Sequence, residues 1–297
     1  MSPSAFLRAL RPHQWTKNVF VLAALAFAAG EKGEAFSTEA AVATLLAFLA
    51  FCLTSSAVYL LNDLVDVEKD RLHPKKKHRP IASGALSIPA ARLGMVLVGV
   101  GGLALGWAAA PGGGVAGVLV LYATLNLAYS FRLKHVVLVD AFCIATGFLF
   151  RVEAGGRAAG VEISHWAYLC MLFLALFLAL NKRRAEVMQL GEGVATTRQS
   201  LREYSIAFVD QLVGVLAACT IVCYTMYTVD ADTVAKFGGT DLVWTVPCVV
   251  FGIGRYMVLV HSGKGGDSPA RVLLGGDGWF LGNVLLWAAL AAWGIFS

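Results

Sequence analysis

Between Asn62 and Pro80 the chain reads NDLVDVEKDRLHPKKKHRP, oxygen-bearing side chains running straight into a block of cations. Asn62, Asp66 and Asp70 recur at a spacing of four, so a helix stacks them on one face with Asp63 beside the first. Hard divalent cations such as Mg2+ take oxygen ligands of this kind and share them with phosphate oxygens. The expected metal set is therefore Asn62, Asp63, Asp66 and Asp70, and a pyrophosphate group is the natural companion. Of the adjoining Arg71, Lys75, Lys76, Lys77 and Arg79, one or two are expected to touch a phosphate; the rest serve topology or lipid headgroups. The competing reading is a solvated helix end. The carboxylates keep helical register at a depth where unpaired charge is costly, which favours the metal reading.

Three other segments carry chemistry-bearing side chains. In YSFRLKHVVLVD, from Tyr129 to Asp140, Lys134 lies at a helix junction and Asp140 falls inside the next apolar stretch, with Arg151 further along it. Ionisable groups in such a stretch are functional by default, and a structural ion pair between helices is the alternative. In NKRRAE, from Asn181, Lys182 and Glu186 are four apart with Arg183 and Arg184 between them, so local ion pairing competes evenly with substrate binding. In RPHQWTKN, from Arg11, Trp15 suits a membrane interface while Gln14, Lys17 and Asn18 are placed to face the same site. The histidines are scattered without ligand spacing. The sequence contains no GxxxxGK[ST] loop and no GxGxxG after a strand, which argues against a nucleotide-driven pump or a dinucleotide module.

The elements that must position these residues are membrane helices. Of the 297 residues, 58% are hydrophobic and 14% charged, far from the balance of a soluble domain. Apolar runs recur along nearly the whole length, predicting one all-α, polytopic domain over residues 1–297 with a cytoplasmic-side cavity. We read nine spans, with cores near 18–30, 40–62, 93–108, 114–131, 136–152, 164–181, 211–229, 242–260 and 279–296. The run APGGG at Ala110 divides the third from the fourth, because proline and consecutive glycines stop a helix. Basic loops alternate with neutral or acidic ones such as EKGE at Glu31, placing the N-terminus and the site in the cytoplasm and the C-terminus outside a cell membrane. The first span is short: the 13 residues between Lys17 and Glu31 cover about 20 Å of helix against a hydrocarbon core of about 30 Å. If it starts earlier, Gln14, Lys17 and Asn18 enter the membrane and need polar partners.

The net charge of +5 sits in short loops, so it reads as topology and not as nucleic-acid binding. The six cysteines lie in apolar segments without CxxC spacing, against metal–thiolate chemistry and a disulfide framework. No cleavable signal peptide is expected at the N-terminus. The 31 glycines fit close helix contacts in the membrane. A homo-oligomer is an open expectation.

NDLVDVEKD followed by RP at Arg79 resembles the first aspartate-rich motif of the UbiA superfamily of membrane prenyltransferases, and the nine-span layout agrees. RPHQWTKN, YLLNDLVDVEKDRLHPKKKHRPIASG, YSFRLKH, the arginine before AGG at Arg151, and ALNKRRAE carry a closer resemblance to its phosphoribosyl-transferring branch. The aromatic prenyltransferases of the superfamily offer two aspartates four apart in a second acidic motif; here Asp140 is followed by Ile144, with Tyr129 and Lys134 nearby. Replacing carboxylate by cation suits a site that must hold two anionic substrates, which repel each other.

The resemblance implies Mg2+-dependent transfer of 5-phosphoribose from 5-phosphoribose 1-diphosphate to polyprenyl (decaprenyl) phosphate, releasing pyrophosphate, for cell-wall arabinan synthesis. Asp63, Asp66, Asp70, Lys134 and Asp140 would be the catalytic set. Arg71, Lys75 or Arg79 would hold the sugar donor, and Lys17, Lys134 or Lys182 the lipid phosphate. Asn62, Gln14, Asn18, Tyr129, Arg151 and Arg183 would complete the binding surface. The alternative is transfer of a prenyl group to an aromatic acceptor; a transporter or lipid-binding scaffold without chemistry is the reading from a different class.

Overall fold

Helix after helix follows from apolar runs that end at proline, glycine or a capping residue. The computed structural model describes residues 3–25, 37–190, 204–262 and 277–296, and among them there are no strands. The EKGE segment, residues 26–30 of the expected first span and residues 263–271 of the last basic loop lie outside the described residues. The helices are α1 (Pro3–Leu10), α2 (Thr38–Val65), α3 (Val67–Leu72), α4 (Ile88–Ala109), α5 (Gly114–Phe131), α6 (Val139–Ala159), α7 (His165–Leu190), α8 (Ile206–Val229), α9 (Ala231–Phe237), α10 (Val246–His261) and α11 (Gly278–Phe296). Ser37 caps α2 by accepting a hydrogen bond from the Ala40 amide at 3.2 Å, and Ser205 caps α8 from Phe208 at 3.2 Å. Asp277 caps α11 at Phe280 and pairs with Arg255 at 2.6 Å.

Seven helices among the described residues are long and apolar enough to cross a membrane: Thr38–Val65, Ile88–Ala109, Gly114–Phe131, His165–Met188, Ile206–Val229, Asp241–His261 and Gly278–Phe296. The expected count of nine differs at two places. The segment expected to open the first span begins as a 3-10 helix over Pro12–Val21. The stretch expected at 136–152 falls in α6, a helix that carries the four charges Asp140, Arg151, Glu153 and Arg157 and is not among the seven. The break at APGGG is where the sequence put it: α4 stops at Ala109, Gly112 and Gly113 take φ of 101° and 84°, and α5 starts at Gly114.

The chain divides into two compact units. The first holds α1 to α5 and the second half of α6; the second holds the first half of α6 and α7 to α11. In the first, Phe51 and Tyr122 meet edge to face with centroids 5.0 Å apart, inside a cluster that includes Val21, Ala47, Val115, Leu119 and Ala154. A second cluster packs Ala9 and Leu10 of α1 with Leu60, Ile81, Leu86 and Ala91. The core of the second unit is built from α7, α8 and α10, around Phe177, Leu180, Val209, Val213, Tyr256 and Val260.

Two glycines in the first unit set how closely its elements approach. A Cβ on Gly102 of α4 would lie 3.0 Å from the Ala50 carbonyl oxygen of α2. One on Gly155 of α6 would overlap the Val21 carbonyl oxygen, a backbone atom that cannot turn aside. Gly155→Ala is therefore expected to cost about 1–3 kcal/mol by overpacking. In detergent or lipid its thermal midpoint should fall, whereas Gly117→Ala, whose Cβ meets nothing within 4 Å, should leave it unchanged or raised.

Candidate functional site

The acidic motif sits where α2 bends into α3. Asp66 forms the bend, with φ −95° and ψ 8°, yet the helical hydrogen bonds continue through it: the Asp66 amide donates to Asn62 O at 3.0 Å and the Asp70 amide to Asp66 O at 2.8 Å. Helical register therefore carries from one helix to the next. The two carboxylates that converge are Asp63 and Asp70, two turns apart and each 2% exposed. Arg79 joins them, with one nitrogen 2.6 Å from Asp70 Oδ2 and 3.1 Å from Asp63 Oδ1. Lys76 stands 3.9 Å from Asp70 Oδ1. Arg11 donates to Asp63 Oδ1 at 2.5 Å, and its guanidinium lies 5.1 Å from the centroid of the Tyr59 ring. Asp63 Oδ2 is buried and has no hydrogen-bond partner. Asp66 is half-buried, and Asn62 accepts a hydrogen bond from Ser130.

The same unit holds a second polar group. Arg151 donates from Nε to Asn18 Oδ1 at 2.8 Å and from its terminal nitrogen to Tyr122 Oη at 3.3 Å. It is flanked by the Phe51 and Tyr122 rings at 5.3 and 5.1 Å. Asn18, fully buried, donates in turn towards Cys52 Sγ and Ser55 Oγ at 3.3 Å. Trp15 Nε1 donates to Ser56 Oγ at 3.0 Å, and Ser56 donates to the Leu10 carbonyl at 2.9 Å. These contacts bind the RPHQWTKN segment to α2 and hold it against the motif.

In the second unit Asp140 is fully buried, 2.7 Å from Arg183 Nε, and Arg183 also pairs with Glu186. Tyr204 donates to Asp140 Oδ1 at 2.8 Å and accepts from the Leu138 amide at 2.8 Å. Leu138 has φ 64°, a left-handed conformation unfavourable for a leucine, so the phenol fixes a strained turn just ahead of α6. Burial and the bond to Asp140 push the Tyr204 phenol above its ordinary value of 10.0. Lys182 is exposed and 3.9 Å from Glu186, and Lys134 lies in the 3-10 turn Leu133–His135. Arg184 pairs with Asp210 at 2.5 Å.

Of the residues expected at the site, the structure brings Asp63, Asp70 and Arg79 together and joins Asn18 to Arg151. Arg71 is exposed and bonded to Glu68 at 2.8 Å; Lys75 and Lys17 are exposed; Gln14 and Tyr129 are half-buried. Arg11, Ser130, Tyr122 and Tyr204 are not among the residues expected at the site from the sequence. The proline after Arg11 was the available signal, since it disfavours right-handed helix at the preceding residue and so turns the chain there. Tyr204 had none.

The donors at the bend suit a hard divalent cation: carboxylate and amide oxygens, one of them a buried acceptor without a hydrogen bond. Among the described residues no three His, Cys, Asp or Glu side chains form a cage. Mg2+ needs none, being held typically by one or two carboxylates together with substrate phosphates.

A sequence profile of the UbiA prenyltransferase family matches residues 18–186. The chain is 36% identical over 282 residues to the decaprenyl-phosphate phosphoribosyltransferase of Mycolicibacterium smegmatis, covering 91% of this chain and 86% of that one. It is also 36% identical to the enzyme of that name from Corynebacterium glutamicum, over 90% and 80% of the two chains. The fold resembles that of a UbiA homolog from Archaeoglobus fulgidus solved bound to GPP and Mg2+, with a TM-score of 0.72 over 98% of both chains at 19% identity.

Tyr204→Phe removes one hydrogen bond from a buried carboxylate and one from a strained amide, an expected loss of about 1–3 kcal/mol. Because the folded phenol titrates above the unfolded one, its contribution is complete below pH 10 and declines above it. Unfolding of the two proteins should differ by a constant amount between pH 6 and 9, and the gap should narrow only beyond about pH 10.

Proposed function

The chain belongs to the UbiA prenyltransferase family, and from that premise we propose that it is a membrane phosphoribosyltransferase acting on a polyprenyl phosphate. The observation that carries this reading is the pair of buried carboxylates, Asp63 and Asp70, surrounded by more cationic than anionic groups. A site of that balance accepts an anion of high charge. The donor we assign is 5-phosphoribose 1-diphosphate and the acceptor a polyprenyl phosphate such as decaprenyl phosphate, in line with the relatives' names.

Asn62, Asp63, Asp66 and Asp70 are the residues that would hold Mg2+, which supplies neutralisation of the departing diphosphate. Arg79 and Lys76, at the rim of the same cluster, attract and orient the diphosphate. The lipid phosphate is already anionic near neutral pH, so no strong general base is required and catalysis reduces to positioning and charge stabilisation. For holding that phosphate we keep Lys17, Lys134 and Lys182 as candidates. Asp140, Arg183 and Tyr204 act as positioning residues for the segment that carries Lys134. The chain would work as one membrane-embedded domain of nine spans in the cell membrane, with its acidic motif on the cytoplasmic side and its product serving cell-wall arabinan.

Purified protein in lipid, given Mg2+, polyprenyl phosphate and 5-phosphoribose 1-diphosphate, should release pyrophosphate with matching formation of the phosphoribosylated lipid. Chelation of the metal should stop it. Asp70→Asn should lower turnover by at least about 100-fold, the scale of losing a group that stabilises developing charge, while the protein remains folded by circular dichroism. Turnover with a prenyl diphosphate and an aromatic acceptor instead would replace this reading with the prenyltransferase one.

A further inference from the structure

Arg11 holds a backbone conformation that only strong local constraints would keep. Its φ of 54° and ψ of 59° lie in the left-handed region, which L residues other than Asn and Asp seldom enter. The Arg11 amide donates to Arg8 O at 3.3 Å and its carbonyl accepts from the Gln14 amide at 2.8 Å, so the chain turns here from α1 into the 3-10 helix. The turn delivers the guanidinium to Asp63 while leaving the arginine 21% exposed, against 2% for the carboxylate it serves.

The pairing itself is unbalanced. Arg11 and Arg79 both address Asp63 Oδ1, while Oδ2 is buried with no hydrogen bond. Arginine–carboxylate pairs are frequently bidentate, as Arg184 is on Asp210 and Arg255 on Asp277, and neither arginine forks the two oxygens of Asp63. Arg79 differs from Arg11 in having unstrained extended backbone, φ −62° and ψ 145°, and in bridging two carboxylates.

Resting on the Mg2+ reading above, we infer that Arg11 is a displaceable counter-ion. It neutralises Asp63 while the donor is absent, yields that carboxylate to the incoming divalent cation, and turns its guanidinium to the diphosphate. Arg11 is thus a positioning residue with opposite effects on two ligands: it competes with metal alone and assists metal with diphosphate. A merely structural arginine would lower both affinities when removed.

Arg11→Asn separates these cases, because asparagine tolerates the left-handed backbone and the charge is lost without added strain. The full chain in lipid nanodiscs is titrated with Mn2+ alone, read by electron paramagnetic resonance, and then with inorganic pyrophosphate at saturating Mg2+, read by calorimetry. Arg11→Asn should bind Mn2+ about tenfold more tightly and Mg2+–pyrophosphate about tenfold more weakly, each a free-energy change of about 1.4 kcal/mol. Arg11→Lys should stay near the unsubstituted protein in both, and Arg8→Gln, an equal loss of charge at an exposed position of α1, should change neither. Weaker binding of both ligands by Arg11→Asn overturns the inference, as does tighter Mn2+ binding with pyrophosphate unaffected. Failure of the unsubstituted chain to bind Mn2+ even with pyrophosphate present overturns the Mg2+ reading, and this inference with it, whereas Mn2+ binding only in the presence of pyrophosphate overturns the inference alone.

Discussion

A carboxylate withdrawn from water must be paired, and at the bend between α2 and α3 two of them, Asp63 and Asp70, are withdrawn together. Isolated burial of such charges would cost several kcal/mol each, so cations have to be brought to them. Much of the first unit's architecture follows from that requirement. The loop after α3 folds back so that Arg79 spans the pair, and the N-terminal segment turns through a strained residue so that Arg11 reaches the first of them. Trp15, Ser56 and the Leu10 carbonyl form the hydrogen-bonded strap that keeps this segment in place. Small residues at Gly102 and Gly155 let the backbones come close enough for these contacts to form.

The same constraint is met differently elsewhere. Arg151 is buried among aromatic faces and neutral acceptors, Asn18 and Tyr122, which spread its charge over several weak partners. Asp140 is fully buried against one arginine and a phenol, and that group holds the left-handed turn at Leu138. In both, the charged group meets partners within its own unit, Arg151 on Asn18 and Tyr122 and Asp140 on Arg183 and Tyr204. At Asp63 one oxygen is crowded and the other empty, the state expected of a side chain whose intended partner is a ligand.

How far the sequence could be read depended on whether the information was local. The helices were legible because apolar runs and the APGGG break act over a few residues, and the register of Asn62, Asp66 and Asp70 survived the bend because the backbone hydrogen bonds did. That spacing groups Asn62 with Asp66 and Asp70, whereas the two carboxylates withdrawn from water are Asp63 and Asp70. Burial and the return of Arg79 select Asp63 with Asp70, and both depend on how the following loop folds. The partners of Asn18 and Arg151 were foreseen only as a need for polar company, since they lie 133 positions apart. Arg71 and Lys75 looked equivalent to Arg79 in a run of cations; loop geometry alone separates them, turning the first two outwards. The 3-10 turn over Pro12–Val21 was not legible, because such a turn and a helix share the same apolar composition over ten residues.

The central claim is that the oxygen set around Asp63 and Asp70 receives a divalent cation together with a diphosphate. Anomalous scattering from crystals grown with Mn2+ and pyrophosphate addresses it directly. The account predicts a metal peak in coordination contact with a carboxylate oxygen of Asp63 or Asp70 and with the pyrophosphate. A peak elsewhere in the protein, with Arg11 and Arg79 still seated on both carboxylates, would contradict it.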